Sequence, residues 1–328
     1  MLVALNRTGV AAMTTQKHRL VTRSDFDGLV CGMLLRELDL IDDIKFVHPK
    51  DMQDGIVPIT ARDIVTNLPY VEGAHLSFDH HDSEISRRGE HTYPNHVIDA
   101  AAPSAARVVY NYYGGAEAFP RVSAELMAAV DQADAAQFAR EDILDPQGWV
   151  LLNFLMDSRT GLGRFRDFRI SNYELMMHLI ERCRDHAIED VLALPDVKER
   201  VDLYEAHRDL FAAQLRRCTT VHGKLALLDL RDEEVIYAGN RFAIYALFPE
   251  CDISAHVLWG ARRQNTVFAI GKSILDRGSP VDVGAVCLGY GGGGHRAAGT
   301  CQIPNERAET VKAELIAALS PPPSRAAA

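Results

Sequence analysis

An α/β fold in two domains is predicted, an N-terminal parallel-sheet domain followed by a smaller C-terminal α/β domain, with an active-site cleft between them. Three observations predict it. Short apolar segments alternate with helical or turn-rich stretches from residue 19 to residue 113. Beyond residue 220 the texture changes to a second, shorter alternation of strand-like and helical segments. The 328 residues also exceed what one core usually serves, at roughly 100–200 residues per domain. The boundaries expected are 17–190 for the first domain, 191–220 for a helical linker and 221–320 for the second, with flexible segments at 1–16 and 321–328.

Taken in order, residues 19–22 read as a strand, followed by an acidic turn and a helix over 29–38 with apolar residues at helical spacing. Residues 44–47, 63–66, 76–78 and 96–98 are short apolar runs of strand length, and 104–113 is helical. Such alternation is that of a parallel sheet covered by helices, in which ligands gather at the carboxyl ends of the strands. A helix over 123–134 follows, and a mostly helical region spans 174–217. In the second domain, strands are expected at 224–228, 253–259 and 266–270, with helices at 241–248 and 280–287. No internal repeat is visible.

A formal charge of −10 disfavours a protein that coats duplex nucleic acid, so any grip on phosphate must be local. The six cysteines include no Cys-x-x-Cys pair, which speaks against a zinc ribbon or a dense disulfide framework. No apolar run reaches the roughly 18 residues that span a bilayer, and residues 1–16 lack the layout of a signal peptide, so a cytoplasmic protein is expected.

The most informative residues are Asp79, His80 and His81, in the run His75-Leu76-Ser77-Phe78-Asp79-His80-His81-Asp82. A carboxylate and two imidazoles at the polar end of an apolar strand suit Mn²⁺, Fe²⁺, Zn²⁺ or Co²⁺, and a carboxylate beside an imidazole fixes its tautomer. Asp25 and Asp27 stand in a similar place after the first strand, where they serve either as cation ligands or as caps of the following helix. Asp131 and Asp134 end the helix at 123–134, so that one of them can project into the cleft and the other face solvent. Gly289-Tyr290-Gly291-Gly292-Gly293-Gly294-His295-Arg296-Ala297-Ala298-Gly299 offers either a flexible linker or bare backbone N–H groups that a phosphate can approach, with donors from His295 and Arg296.

These motifs, in this order, resemble the DHH phosphoesterase superfamily with its DHH-associated C-terminal domain. That superfamily includes nano-RNases and phosphoadenosine phosphatases, RecJ-like exonucleases and exopolyphosphatase-like proteins. The resemblance covers most of residues 18–304. It implies a metal-dependent phosphohydrolase acting on a small or short-chain substrate such as an oligonucleotide, a nucleoside bisphosphate or polyphosphate. It also implies one or two Mn²⁺ ions, with Mg²⁺ or Co²⁺ as alternatives. The implied metal ligands are Asp25, Asp27, His80 and Asp134, with Asn67 and Asp131 as weaker candidates. Asp79 and His81 would be catalytic, with His81 near the scissile phosphate. Gly292, Gly293, Gly294, His295, Arg296 and Lys272 would bind substrate. The expected partner is the phosphate substrate, which includes short single-stranded oligonucleotides, with no membrane and with a homodimer as the plausible assembly.

Two departures from the family pattern stand out. Val21 occupies the position where many relatives place a histidine, and Asn67 the position of a bridging aspartate. Asp63 or His18 are the candidates to compensate. The altered set also supports a second reading, a nucleotide- or phosphate-binding protein that has lost hydrolysis.

Overall fold

The computed structural model describes residues 17–81, 84–85, 89, 91–165 and 167–320. The two flexible segments expected at 1–16 and 321–328 fall outside those residues, as does Asp82.

The first strand, β1 (His18–Thr22), buries Leu20, Val21 and Thr22 completely. It pairs in parallel with β2 (Ile41–Phe46) on one side and β3 (Asp63–Thr66) on the other. β4 (Leu76–Asp79) and β5 (His96–Ile98) continue the sheet, giving the all-parallel order β2-β1-β3-β4-β5. All four residues of β3 are buried, as a strand covered on both faces requires. The edge strand β2 begins three residues before the apolar run at 44–47, because Asp42 and Asp43 stay exposed at the edge. Strand order reverses between β1 and β3. The crevice above that switch point is where an open α/β sheet binds its ligands.

The helix Phe26–Glu37 starts three residues earlier than the apolar periodicity suggests, since Asp25 caps it by accepting from Gly28 N at 3.0 Å. Gly28 is obligatory in that tight turn: a Cβ there would lie 2.0 Å from the Arg23 carbonyl oxygen. The helices Ala105–Tyr112, Ala124–Asp134 and Asn172–Arg182 complete the main core over the sheet.

A single helix, Pro195–Cys218, leads to the second sheet, whose order is β10-β11-β9-β8-β7-β6. Its strands are β6 (Thr219–His222), β7 (Leu225–Asp229), β8 (Ile253–Trp259), β9 (Thr266–Lys272), β10 (Gly293–His295) and β11 (Ala298–Ile303). Only the β7–β8 pair is parallel. The helices expected at 241–248 and 280–287 are Ala243–Leu247 and Val283–Gly289. Sequence reading missed β6, the β10–β11 hairpin and the helices Arg140–Leu144 and Gly148–Met156. A further core joins the two lobes, packing Phe138, Ile143 and Phe154 of the first against Leu228, Phe242 and Tyr245 of the second. That contact fixes what faces across the cleft.

Candidate metal centre

Three chain segments meet at the carboxyl end of the first sheet. After β1, Asp27 sits in the first turn of its helix, 2 % exposed. Its Oδ1 accepts from Ala106 N at 2.8 Å and its Oδ2 from Ala105 N at 3.1 Å, so it also neutralises the N-terminus of the helix Ala105–Tyr112. After β4, Asp79 turns inward and organises the two histidines that follow. Its Oδ1 accepts from His80 N at 2.8 Å and lies 2.7 Å from His81 Nδ1. The third segment is the end of the helix Ala124–Asp134, which delivers Asp134 Oδ2 to 2.8 Å from His80 Nε2. His80 Nδ1 lies 3.3 Å from the Ala102 carbonyl oxygen, which turns Nε2 toward the acids.

Asp27, His80 and Asp134 thus offer ligand atoms that all lie within 4.8 Å of one another, and Asp79, His80 and His81 form a second such group. Asp25 stands beside them with other obligations: Gly28 N, Arg23 Nε at 3.0 Å and Asn67 Nδ2 at 3.3 Å. Asn67 adopts φ 53°, a left-handed conformation that asparagine tolerates, and is buried. Asp131 is not brought into either group. It accepts from Ser104 Oγ at 2.8 Å and from Arg107 Nε at 2.9 Å, in a salt bridge on the far side of its helix turn. Val21 is core, packed with Val47, Met52 and Val65. Neither candidate compensator reaches the site: Asp63 binds Arg19 Nε at 2.7 Å and Thr60 N at 2.7 Å, while His18 stacks on His75, both at the opposite end of the sheet.

The electrostatics are those of a cation site. Burial, reinforced by Asp134, raises the Asp27 carboxyl well above the usual range and that of Asp25 above it too. Burial lowers the His80 imidazole, but contact with Asp134 and the charges of Asp134, Asp27 and Asp79 outweigh it and raise it to about 9. Buried acids that repel one another and hold a neighbouring imidazole positive are stabilised by a divalent cation. Two buried acceptor atoms, Asp79 Oδ2 and Asn67 Oδ1, also lack a hydrogen-bond donor among the described residues. Orphaned acceptors cost about 1–3 kcal/mol each unless water or a cation meets them. The donor set of carboxylate, amide oxygen and imidazole suits Mn²⁺ or a related ion. The residues present therefore fit such a metal.

Across the cleft, the glycine-rich segment is neither a linker nor an open loop. It forms the β10–β11 hairpin, packed against the helix Val283–Gly289. Gly291 N and Gly292 N donate to the carbonyls of Leu288 and Cys287, so those two N–H groups are spent within the turn. A Cβ on Gly292 would lie 2.1 Å from Thr300 O, and one on Gly294 2.3 Å from Ala298 O. His295 closes the hairpin, its Nδ1 accepting from Ala297 N at 3.2 Å. Desolvation and the positive fields of His81, Arg23, Arg241 and Arg159 lower its pKa. Arg296 is exposed. Lys272 is tied down, its Nζ donating to Ser279 O at 3.0 Å and its backbone N to Ala297 O. Sequence reasoning missed Arg23, Arg159 and Arg241. Only Arg23, beside the acidic turn, carried a signal that could have found it.

No family model and no curated protein matches the chain. Among solved structures it is 60% identical to a pGpG-specific phosphodiesterase, PggH from Vibrio cholerae, over 92% of this chain and 98% of that one, with a TM-score of 0.79. It also resembles an exonuclease RecJ bound to manganese, at 18% identity over 94% of this chain and 91% of that one, with a TM-score of 0.51; that likeness concerns the fold.

Proposed function

The chain belongs to the DHH phosphoesterase superfamily, and on that footing we propose that it is a metal-dependent phosphodiesterase of short phosphorylated oligonucleotides, with the dinucleotide pGpG as its leading substrate. The observation that carries the reading is the Asp27–His80–Asp134 cluster, three buried ligand groups converging at the switch point of the sheet. The 60% identity to a pGpG-specific phosphodiesterase favours pGpG among such substrates. It also weighs against the alternative of a protein that binds phosphate without hydrolysing it.

Asp27, His80 and Asp134 would hold the ion, with Asp25, Asn67 and Asp79 alongside. We place Mn²⁺ there ahead of Mg²⁺ or Co²⁺. Bound there, a divalent cation supplies Lewis-acid polarisation of a phosphoryl oxygen and neutralises charge that develops in the transition state.

The rest is protein chemistry. With Asp79 accepting from His81 Nδ1, Nε2 is the nitrogen left with a lone pair to act as a base. His81 Nε2 takes a proton from the attacking water as the water oxygen bonds to phosphorus. The bond from phosphorus to the ribose 3′ oxygen breaks, and a proton ends on that leaving hydroxyl. Cleavage of pGpG in this way yields two molecules of guanosine monophosphate. His295 and Arg296 of the hairpin and Arg23 of the first lobe would supply donors to the substrate phosphates. Among the described residues no helix is long and apolar enough to cross a membrane, in keeping with a cytoplasmic enzyme.

Mononucleotide or phosphate release from pGpG, pApA, phosphoadenosine phosphate, polyphosphate and pyrophosphate, each with Mn²⁺, Mg²⁺ or chelator, tests this reading. We expect Mn²⁺-dependent release of guanosine monophosphate from pGpG above every other member. Preference for polyphosphate, or no turnover anywhere by folded protein, would contradict it.

A further inference from the structure

One segment touches every part of the metal centre. It leaves β5 and runs into the helix Ala105–Tyr112. At its start, Asp99 N donates to the Asp79 carbonyl oxygen at 3.1 Å. The Ala102 carbonyl oxygen lies 3.3 Å from His80 Nδ1. Ala105 N and Ala106 N each hold one oxygen of Asp27. Ser104 Oγ and Arg107 Nε donate to the two oxygens of Asp131, three residues before Asp134 on the same helix. Residues 99–107 therefore bind all three chain segments that supply the Asp27–His80–Asp134 cluster.

Ser104 is the pivot of this arrangement. It is fully buried, and its hydroxyl accepts from Arg107 N at 3.0 Å while donating to Asp131 Oδ1 at 2.8 Å. The first bond is an ordinary helix cap. The second crosses to another helix, Ala124–Asp134. Ser171 makes the contrast. It caps the helix Asn172–Arg182 by accepting from Glu174 N at 3.2 Å, but it donates to Glu174 within its own first turn. Of these two caps, Ser104 is the one that ties its helix to a helix bearing a metal ligand.

Asp131 supplies no ligand atom to either candidate group, yet its side chain is 18 % exposed and both of its oxygens are engaged. Residues three apart on a helix are neighbours on one face. Fixing Asp131 thus fixes the last turn of the helix, and with it the direction from which Asp134 approaches His80. The carboxylates of Asp27 and Asp134 repel each other, so the surrounding fold must impose their approach.

We propose that Ser104 and Asp131 are positioning residues of the metal centre, bracing the helix that carries Asp134 against the segment that holds Asp27 and His80. The inference rests on the metal-centre reading and is independent of which phosphodiester is cleaved. Groups that orient metal ligands without touching the ion change metal affinity by about 10- to 100-fold when removed.

The test titrates Mn²⁺ into the chelator-stripped full chain by calorimetry and records the electron paramagnetic resonance spectrum of the bound ion. It compares the wild type with Ser104→Ala, Asp131→Asn and Ser171→Ala, each checked for folding by circular dichroism. We expect Ser104→Ala to weaken Mn²⁺ binding by about tenfold to a hundredfold and Asp131→Asn by several-fold, both with a changed spectrum. Ser171→Ala loses a like cap whose hydroxyl meets no segment of the centre, and it should bind as the wild type does. A loss of stability alone does not move the affinity of a chain that stays folded. Wild-type affinity and spectrum in folded Ser104→Ala and Asp131→Asn would overturn the brace and leave the metal centre standing. Equal weakening in Ser171→Ala would overturn it as well. Should Ser104→Ala fail to fold, Asp131→Asn, at the more exposed partner, decides by the same readouts. A wild type that binds no Mn²⁺ would overturn the brace together with the reading beneath it.

Discussion

Asp27 illustrates how one side chain serves the fold and the site at once. Its two oxygens accept from Ala105 N and Ala106 N, yet it also completes the cluster with His80 and Asp134. The sequence singled out Asp25, Asp27 and His80 as candidates because acids and histidines at the carboxyl ends of apolar strands have few structural reasons to be there, whereas Asp134 was singled out through the family resemblance. The preference for Asp134 over Asp131 rested on that resemblance alone, and the structure adds a physical reason, since Ser104 and Arg107 reach Asp131 from another element. Asn67 invites a direct substitution. In Asn67→Asp a carboxylate would replace the amide that now donates to Asp25 at 3.3 Å, while the left-handed backbone stays acceptable. We expect tighter Mn²⁺ binding by calorimetry and a lower melting temperature in chelator, by about 2–4 °C for each kcal/mol of repulsion. Unchanged affinity would show that the residue 67 side chain does not face the ion.

At the scale of elements, the β10–β11 hairpin was the largest misreading. Four glycines in a row suggest backbone N–H groups bared to a ligand, but packing explains at least two of them. Gly292 and Gly294 lie where a side chain would strike the carbonyls of Thr300 and Ala298, whereas a Cβ on Gly293 would meet nothing within 4 Å. Gly292→Ala should therefore destabilise the protein by about 1–3 kcal/mol and displace His295, lowering activity. Gly293→Ala should cost less than about 1 kcal/mol. Denaturant melts of the two variants check this, and equal losses would contradict the packing explanation. The hairpin escaped sequence reading because glycine has low strand propensity, and its partner strand supplies the register that the sequence lacks. The short helices Arg140–Leu144 and Gly148–Met156 escaped for a different reason. Their apolar faces pack partly against the second lobe, so neither shows a single buried stripe in isolation.

For the whole molecule, the parallel sheet and the cleft followed from the alternation of strands and helices, and the chemistry followed from what stands at the strand ends. How the lobes dock did not. That arrangement depends on Phe138, Phe154, Phe242 and Tyr245, which are distant in sequence and look like ordinary core residues until the structure joins them. The same docking carries Arg241 of the second lobe to Asp157 of the first. The central claim is that the Asp27–His80–Asp134 centre holds the ion that makes this chain a phosphodiesterase. It is tested most directly by following guanosine monophosphate release from pGpG with chelator-stripped protein, before and after Mn²⁺ is restored, in the wild type and in His80→Ala. We expect no release from the stripped enzyme, recovery by Mn²⁺ in the wild type, and a loss of about 100-fold or more in the folded variant. Release by stripped protein, or full recovery in His80→Ala, would contradict the claim.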